Sequence, residues 1–271
     1  MLQMFLSLLL IPTAAITVWH LALSRISRFT WRAYQITGAI GAPVHELSHL
    51  LACIAFRLPV QRVALYTPGR TDGCLGYVVF TANPRSIFNN AGMAVQGVAP
   101  LIGGATIVHY VLKGQGLVSV PSEISSDPGW IVDEAVRTLN ATVAMAASGG
   151  VGFTVLLGIL VIAMHSIPSW ADVRVGLKGS LMLGITAIFA GAASEIAASY
   201  VSFGSSFQSL GLLITYWIRV TLEMGLTGAV RLVTLAMIGG LGLVVLPGIL
   251  FEGVAGVINS LKRRHITSID E

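Results

Sequence analysis

The sequence predicts an all-α polytopic membrane protein of about six transmembrane helices, with a small membrane-associated β-hairpin after the second. Three observations predict it. Only 10% of the 271 residues are charged and 55% are hydrophobic, with a mean hydropathy of +0.82, whereas soluble chains carry about a quarter charged residues. Apolar runs recur at about the 20 residues that a bilayer-crossing helix needs. The basic residues gather in short connections and near the C-terminus, so the formal charge of +4 speaks for membrane orientation and not for nucleic-acid binding. The spans and connections leave too little chain for a separate soluble domain, and residues 1–271 read as one integral membrane domain.

Taken in order, the apolar runs place spans near 2–23, 36–56, 87–112, 149–166, 177–202 and 227–250. The first lacks a basic leader and is long for a signal peptide, so it reads as a retained span. The fourth is short and can begin earlier, through LNATVAMAASGG. Between the second and third, residues 57–85 contain VALY and GYVVF around TPGRTDG, the pattern of a β-hairpin. Residues 113–136 hold Glu123, Asp127, Asp133 and Glu134 with two prolines and several serines, and read as an acidic polar loop. Residues 204–224 read as an interfacial amphipathic helix or a poor span. A C-terminal span and basic tail occupy 225–271. Cys53 lies in an apolar segment and reads as a buried inert thiol, and neither it nor Cys74 belongs to a CxxC motif.

Lys and Arg in short loops set the orientation. Arg57, Arg62, Arg70 and Arg85 against Asp72 alone put the hairpin connection on the cytoplasmic side, and Lys262, Arg263 and Arg264 put the tail there too. The acidic 113–136 loop then belongs outside. SRISRFTWRAYQ, with Arg25, Arg28 and Arg32, runs against this scheme, which places it outside.

The second span carries HELSH, residues 45 to 49. Residues i and i+4 share a helix face, so His45 and His49 can present imidazole nitrogens to one ion. Glu46, offset around the turn, can reach a water on that ion and take its proton as the water attacks a carbonyl. In a chain with six His, chance produces this pattern about three times in a thousand, and ionisable residues in membrane segments are functional candidates by default. The bland reading is a pair of packing histidines with Glu46 hydrogen-bonded nearby. A catalytic zinc takes three protein ligands and keeps an open position. Downstream, MHSIPSWAD ends the fourth span, Glu195 lies deep in the fifth, and His109 lies near the outer end of the third. The HELSH segment and the fourth span both run inward, which brings Asp172 to the cytoplasmic half beside His45 and His49. Glu195 would sit about four to five helical turns further out, and His109 at the opposite end. Asp172 is the favoured third ligand.

With HELSH followed by FRLPVQRVALYTPG, GMAVQGVAPLIGG and HSIPSWAD, the chain resembles the site-2 protease family of intramembrane zinc metalloproteases over roughly residues 36–200. That family pairs HExxH with an aspartate in a segment written NxxPxxxxDG. Here Pro168 and Asp172 are kept, His165 stands in place of the Asn, the gap before Asp172 is one residue shorter, and Val173 follows where the family has Gly. The resemblance implies a Zn2+-dependent endopeptidase that cuts a membrane protein or membrane-bound peptide within or beside a transmembrane segment. It implies His45, His49 and Asp172 as metal ligands and Glu46 as general base. It implies that His165 polarises the scissile carbonyl as the family's Asn does; a ring hydrogen-bonded to backbone is the equal alternative. Asn89 and Asn90 are candidates for holding an extended substrate strand or for helix capping, and the hairpin for pairing with an unwound substrate segment. The expected setting is a multi-pass protein of a bacterial cell membrane, its site towards the cytoplasm.

Two other classes fit the same residues. One is a non-proteolytic membrane subunit that binds metal without cleaving. The other is a cation transporter using His45, Glu46, His49, Glu195 and Glu223, which duplicated broken helices would support; no such repeat occurs in the sequence.

Overall fold

The computed structural model describes residues 10–18, 28–70, 74–117, 128–182 and 205–267, with positions 7 and 21. Residues 10–18, in the expected first span, are helical. Helix α1, Arg28–Ala55, carries HELSH and contains Pro43. It starts well before the expected span at 36, because TWRAYQITGAI holds no proline and several good helix formers. Its end is a left-handed cap: Arg57 has φ 52°, and the Leu58 amide reaches back to the Cys53 carbonyl at 2.8 Å. Pro59 then prevents continuation.

The expected hairpin follows. Strand β1, Val60–Ala64, pairs antiparallel with β2, Tyr77–Phe80, in the register Arg62↔Val79, Val63↔Val78 and Ala64↔Tyr77, with a bulge between Val60 and Arg62. The expected third span is not one straight helix. It is α2, Ile87–Gln96, and α3, Ala99–Gly114, bent by 59°. Pro100 sits at the start of α3, where its ring crowds the carbonyl four residues back, at Gln96.

The acidic connection requires a correction. Its middle, 118–127, lies outside the described residues, but its last part is the first turns of a helix, α4, Pro128–Ala147. Glu134 is 1% exposed and Thr138 and Thr142 are buried, while Val132, Val136, Leu139 and Val143 are exposed. Polar residues four apart face the bundle and apolar residues spaced four, three and four face outward, the reverse of a helix on a water-soluble domain. Glu134 accepts a hydrogen bond from Arg231 Nε at 2.5 Å and faces Arg137 at 3.5 Å. Arg231, itself buried, also touches His109 Nδ1 at 3.3 Å.

Helix α5, Gly150–His165, gives way through Pro168 to α6, described as Trp170–Met182, with a bend of 60°. Most of the expected fifth span, with Glu195, lies outside the described residues. The segment expected to be an interfacial helix or a poor span is helical from Ser205 and continues without a break: α7 runs Ser205–Gly239, a π-helical turn spans Gly240–Val245, and α8 runs Leu246–Thr267. The π turn absorbs Pro247, which lacks an amide for the regular ladder. Leu156, Ile159, Leu160, Ala163 and Met164 of α5 pack with Leu232, Leu235 and Ala236 of α7 and with Val108, Leu112 and Met145.

Among the described residues one helical stretch, Glu223–Gly256, is long and apolar enough to cross a membrane, with a mean hydropathy of 2.2; the two bent pairs raise this to three if each is one span. The HELSH helix is long enough, but its histidines and glutamate pull its hydropathy below that level.

Candidate metal centre

HELSH turns its polar residues towards the start of α6. His45, His49 and Asp172 each offer one ligand atom, and the three atoms lie within 4.8 Å of one another. His45 Nε2 is 3.6 Å from Asp172 Oδ2, and His49 Nε2 is 3.2 Å from Asp172 Oδ1. Each imidazole is oriented from behind. His45 Nδ1–H donates to the His165 carbonyl at 2.7 Å, and His49 Nδ1–H donates to Gln96 Oε1 at 2.7 Å. Both protons are therefore on Nδ1, and both Nε2 lone pairs point into the space shared with the carboxylate.

The residues fit a metal ion on three grounds. With both imidazoles neutral, two nitrogen lone pairs and an anionic carboxylate repel one another, and a cation between them relieves that repulsion. His49 Nε2 is buried and makes no hydrogen bond, an orphan of the kind that native structures avoid; its approach to Asp172 has the distance of an ion pair without the geometry of a hydrogen bond. The separations of 3.2 and 3.6 Å bracket the edge of about 3.3 Å that bonds of about 2.0–2.1 Å make in a tetrahedron. Two imidazoles and one carboxylate form a donor set that suits borderline divalent ions, zinc and iron(II) among them.

Asp172 is aimed by its own helix. Its Oδ2 accepts from Ser169 N and from Ser169 Oγ, both at 2.7 Å, and its amide donates back to Ser169 Oγ at 3.3 Å. This is a reciprocal capping box, and the carboxylate lies where the helix N-terminus stabilises negative charge. Glu46 is 7% exposed and lies beside Gly76 at the entry to β2, where a methyl would meet its Cγ at 2.6 Å. Among the described residues no hydrogen bond reaches its carboxylate.

His165 contributes its carbonyl to the site. Its ring is 5% exposed, stacks on Tyr34 at 4.3 Å and shares a 3.0 Å hydrogen bond with Thr37 Oγ1. Gly41 makes room for it, since a methyl there would lie 2.5 Å from the ring. His109 is tied to Arg231 and takes no part in the cluster. Asn89 Oδ1 accepts from the Asn83 amide and Asn90 Nδ2 donates to the Pro84 carbonyl, both at 3.0 Å, while Asn89 Nδ2 donates to the Phe56 carbonyl at 3.5 Å. Sequence reading missed Gln96, which is 1% exposed and donates to the His49 carbonyl and to Cys53 Sγ, both at 2.8 Å. A polar amide amid GMAVQGVAP was its only signal. Comparison of the chain with known protein families, characterised proteins and solved structures finds no match.

Proposed function

We propose that this chain is a multi-pass membrane protein and a zinc-dependent endopeptidase that cleaves a peptide bond within or next to a transmembrane segment of a membrane-protein substrate. The observation that carries this reading is the convergence of His45, His49 and Asp172 with the buried Glu46 of the same HExxH turn. A zinc ion held by the three ligands would supply a Lewis acid and make a nucleophilic water available near neutral pH. Glu46 would serve as the general base, taking a proton from the attacking water and returning it to the departing amine. His45 and His49 keep their Nδ1 protons on His165 and Gln96, so neither competes as a base. The hairpin reaches the site at Gly76, and its outer edges, which pair with no other strand among the described residues, suit pairing with an unwound substrate segment. The basic hairpin connection favours the cytoplasmic side.

A membrane setting is supported by what α1 and α4 expose: Ile36, Ile40, Leu51 and Ile54 on one, Val132, Leu139 and Val143 on the other. Apolar surface of this extent on a water-soluble protein would promote aggregation. A non-proteolytic metal-binding subunit is the second reading, favoured by the engagement of the His165 ring with Tyr34 and Thr37.

Glu46→Gln separates the two. Purified wild type and variant, reconstituted in vesicles with single-span membrane peptides, are expected to carry equal zinc, and only the wild type is expected to release fragments detected by mass spectrometry. Equal cleavage by both would remove Glu46 from the mechanism; no cleavage by either, with zinc bound, would favour the subunit reading.

A further inference from the structure

The two bent helices meet backbone to backbone. A methyl added at Gly97, between α2 and α3, would lie 2.5 Å from Gly176 Cα and 2.9 Å from the Asp172 carbonyl oxygen. One added at Gly176 would lie 2.8 Å from Gly97 Cα, and one at Gly179 would lie 2.5 Å from the Asn90 carbonyl oxygen. These neighbours are main chain and cannot swing aside as a side-chain tip can. Asp172, Gly176 and Gly179 are spaced four and three along α6 and share one face. Gly97 directly follows Gln96, whose amide holds His49.

We propose that this glycine seam sets the separation between Asp172 and the two histidines, which makes Gly97, Gly176 and Gly179 positioning residues of the metal centre; the inference rests on the metal-binding reading above. The hydrogen bonds of the Asp172 side chain stay within its own turn, on Ser169. They set its rotamer and leave its distance from α1 to the placement of α6 as a body. Gly176 is only about 6 Å along the axis from Asp172 at 1.5 Å per residue, so a shift at the seam reaches the carboxylate almost undiminished. Relieving a 2.5 Å methyl contact to the ordinary spacing of about 3.5 Å requires about 1 Å. Metal sites tolerate about 0.2 Å.

The test compares Gly97→Ala, Gly176→Ala and Gly179→Ala with Gly158→Ala, where a methyl meets open space. Two measurements on the full chain in detergent are read. The first is zinc affinity by competition with a chromogenic chelator. The second needs no metal: the rate at which a short bifunctional thiol reagent links His49→Cys to Asp172→Cys, with Cys53 and Cys74 replaced by serine. The seam variants are expected to lose about ten-fold or more in zinc affinity and a similar factor in linking rate, while the control keeps both. Unchanged linking rates in the seam variants overturn the proposal. If the wild type binds no zinc, the metal reading fails, and the linking rates still decide what the seam does. Helical circular dichroism identifies any variant that does not fold, and the other two seam positions then give the answer.

Discussion

Gln96 shows how one side chain can govern a site it does not belong to. Its carbonyl accepts a hydrogen bond from His49 Nδ1 and its amide nitrogen donates to the His49 carbonyl and Cys53 Sγ, so ring tautomer and ring angle are fixed together. Gln96→Leu keeps the volume, removes all three bonds and leaves His49 Nδ1 without its acceptor. Zinc affinity is expected to fall about 10–100-fold, the range for partners that orient metal ligands, with helical content unchanged; competition titration against a chelator measures it. Gln96→Glu, which retains an acceptor for Nδ1, is expected to recover most of the loss. His45, Glu46 and His49 were legible in the sequence because helical spacing alone puts them on one turn. Asp172 was legible through span directions. Gln96 was not, because its role depends on the bend at Gly97, and the effect of Pro100 on that bend shows only once α2 and α3 are seen apart.

At the scale of the element, α4 explains why hydropathy misread the chain. A window average sees Asp133, Glu134 and Arg137 and reports a polar segment, whereas the periodicity places Glu134, Thr138 and Thr142 inward and four large aliphatics outward. If the outer face meets lipid, Val143→Lys places an ammonium in hydrocarbon and is expected to destabilise the protein by about 2.5–3.5 kcal/mol; in water the same change would be nearly neutral. Thermal unfolding in lipid nanodiscs tells the two apart. The inner face makes its own prediction. Glu134 and Arg231 neutralise each other in the bundle, and removing the Glu134 charge takes away the buried carboxylate against which Arg231 lies. Glu134→Gln is expected to cost about 3–5 kcal/mol, read as a lowered midpoint of unfolding. The double variant Glu134→Gln with Arg231→Met is expected to recover part of it, and a double variant worse than the single would show that the two side chains act separately. The hairpin was legible because TPGRTDG between β-forming runs needs no tertiary context, while the merger of 204–224 into α7 was not, since glycines and polar residues there do not reveal whether a helix continues.

For the whole molecule, the ligands come from two places in the chain: α1 supplies His45 and His49, and α6, more than a hundred residues later, supplies Asp172. An ion bound there would join the HELSH helix to the second half of a bent helix and would favour the folded chain, because the unfolded chain holds no such cluster. Binding of that kind stabilises by RT ln(1 + [L]/Kd), about 2.7 kcal/mol when the free ion is at a hundred times its Kd. Zinc is therefore expected to raise the unfolding midpoint of the purified protein and a chelator to lower it. In Asp172→Ala the shift should shrink strongly, because two imidazoles on one helix remain but nothing ties them to α6. Glu46→Gln should keep the full shift, since Glu46 is not a ligand in this arrangement. A full shift in Asp172→Ala would mean that the ion is held without α6, and it would break the link between metal binding and the junction of the two bent helices. A full shift in the wild type and in Glu46→Gln, lost with Asp172, would show that the ion serves as a tertiary clasp before any substrate arrives.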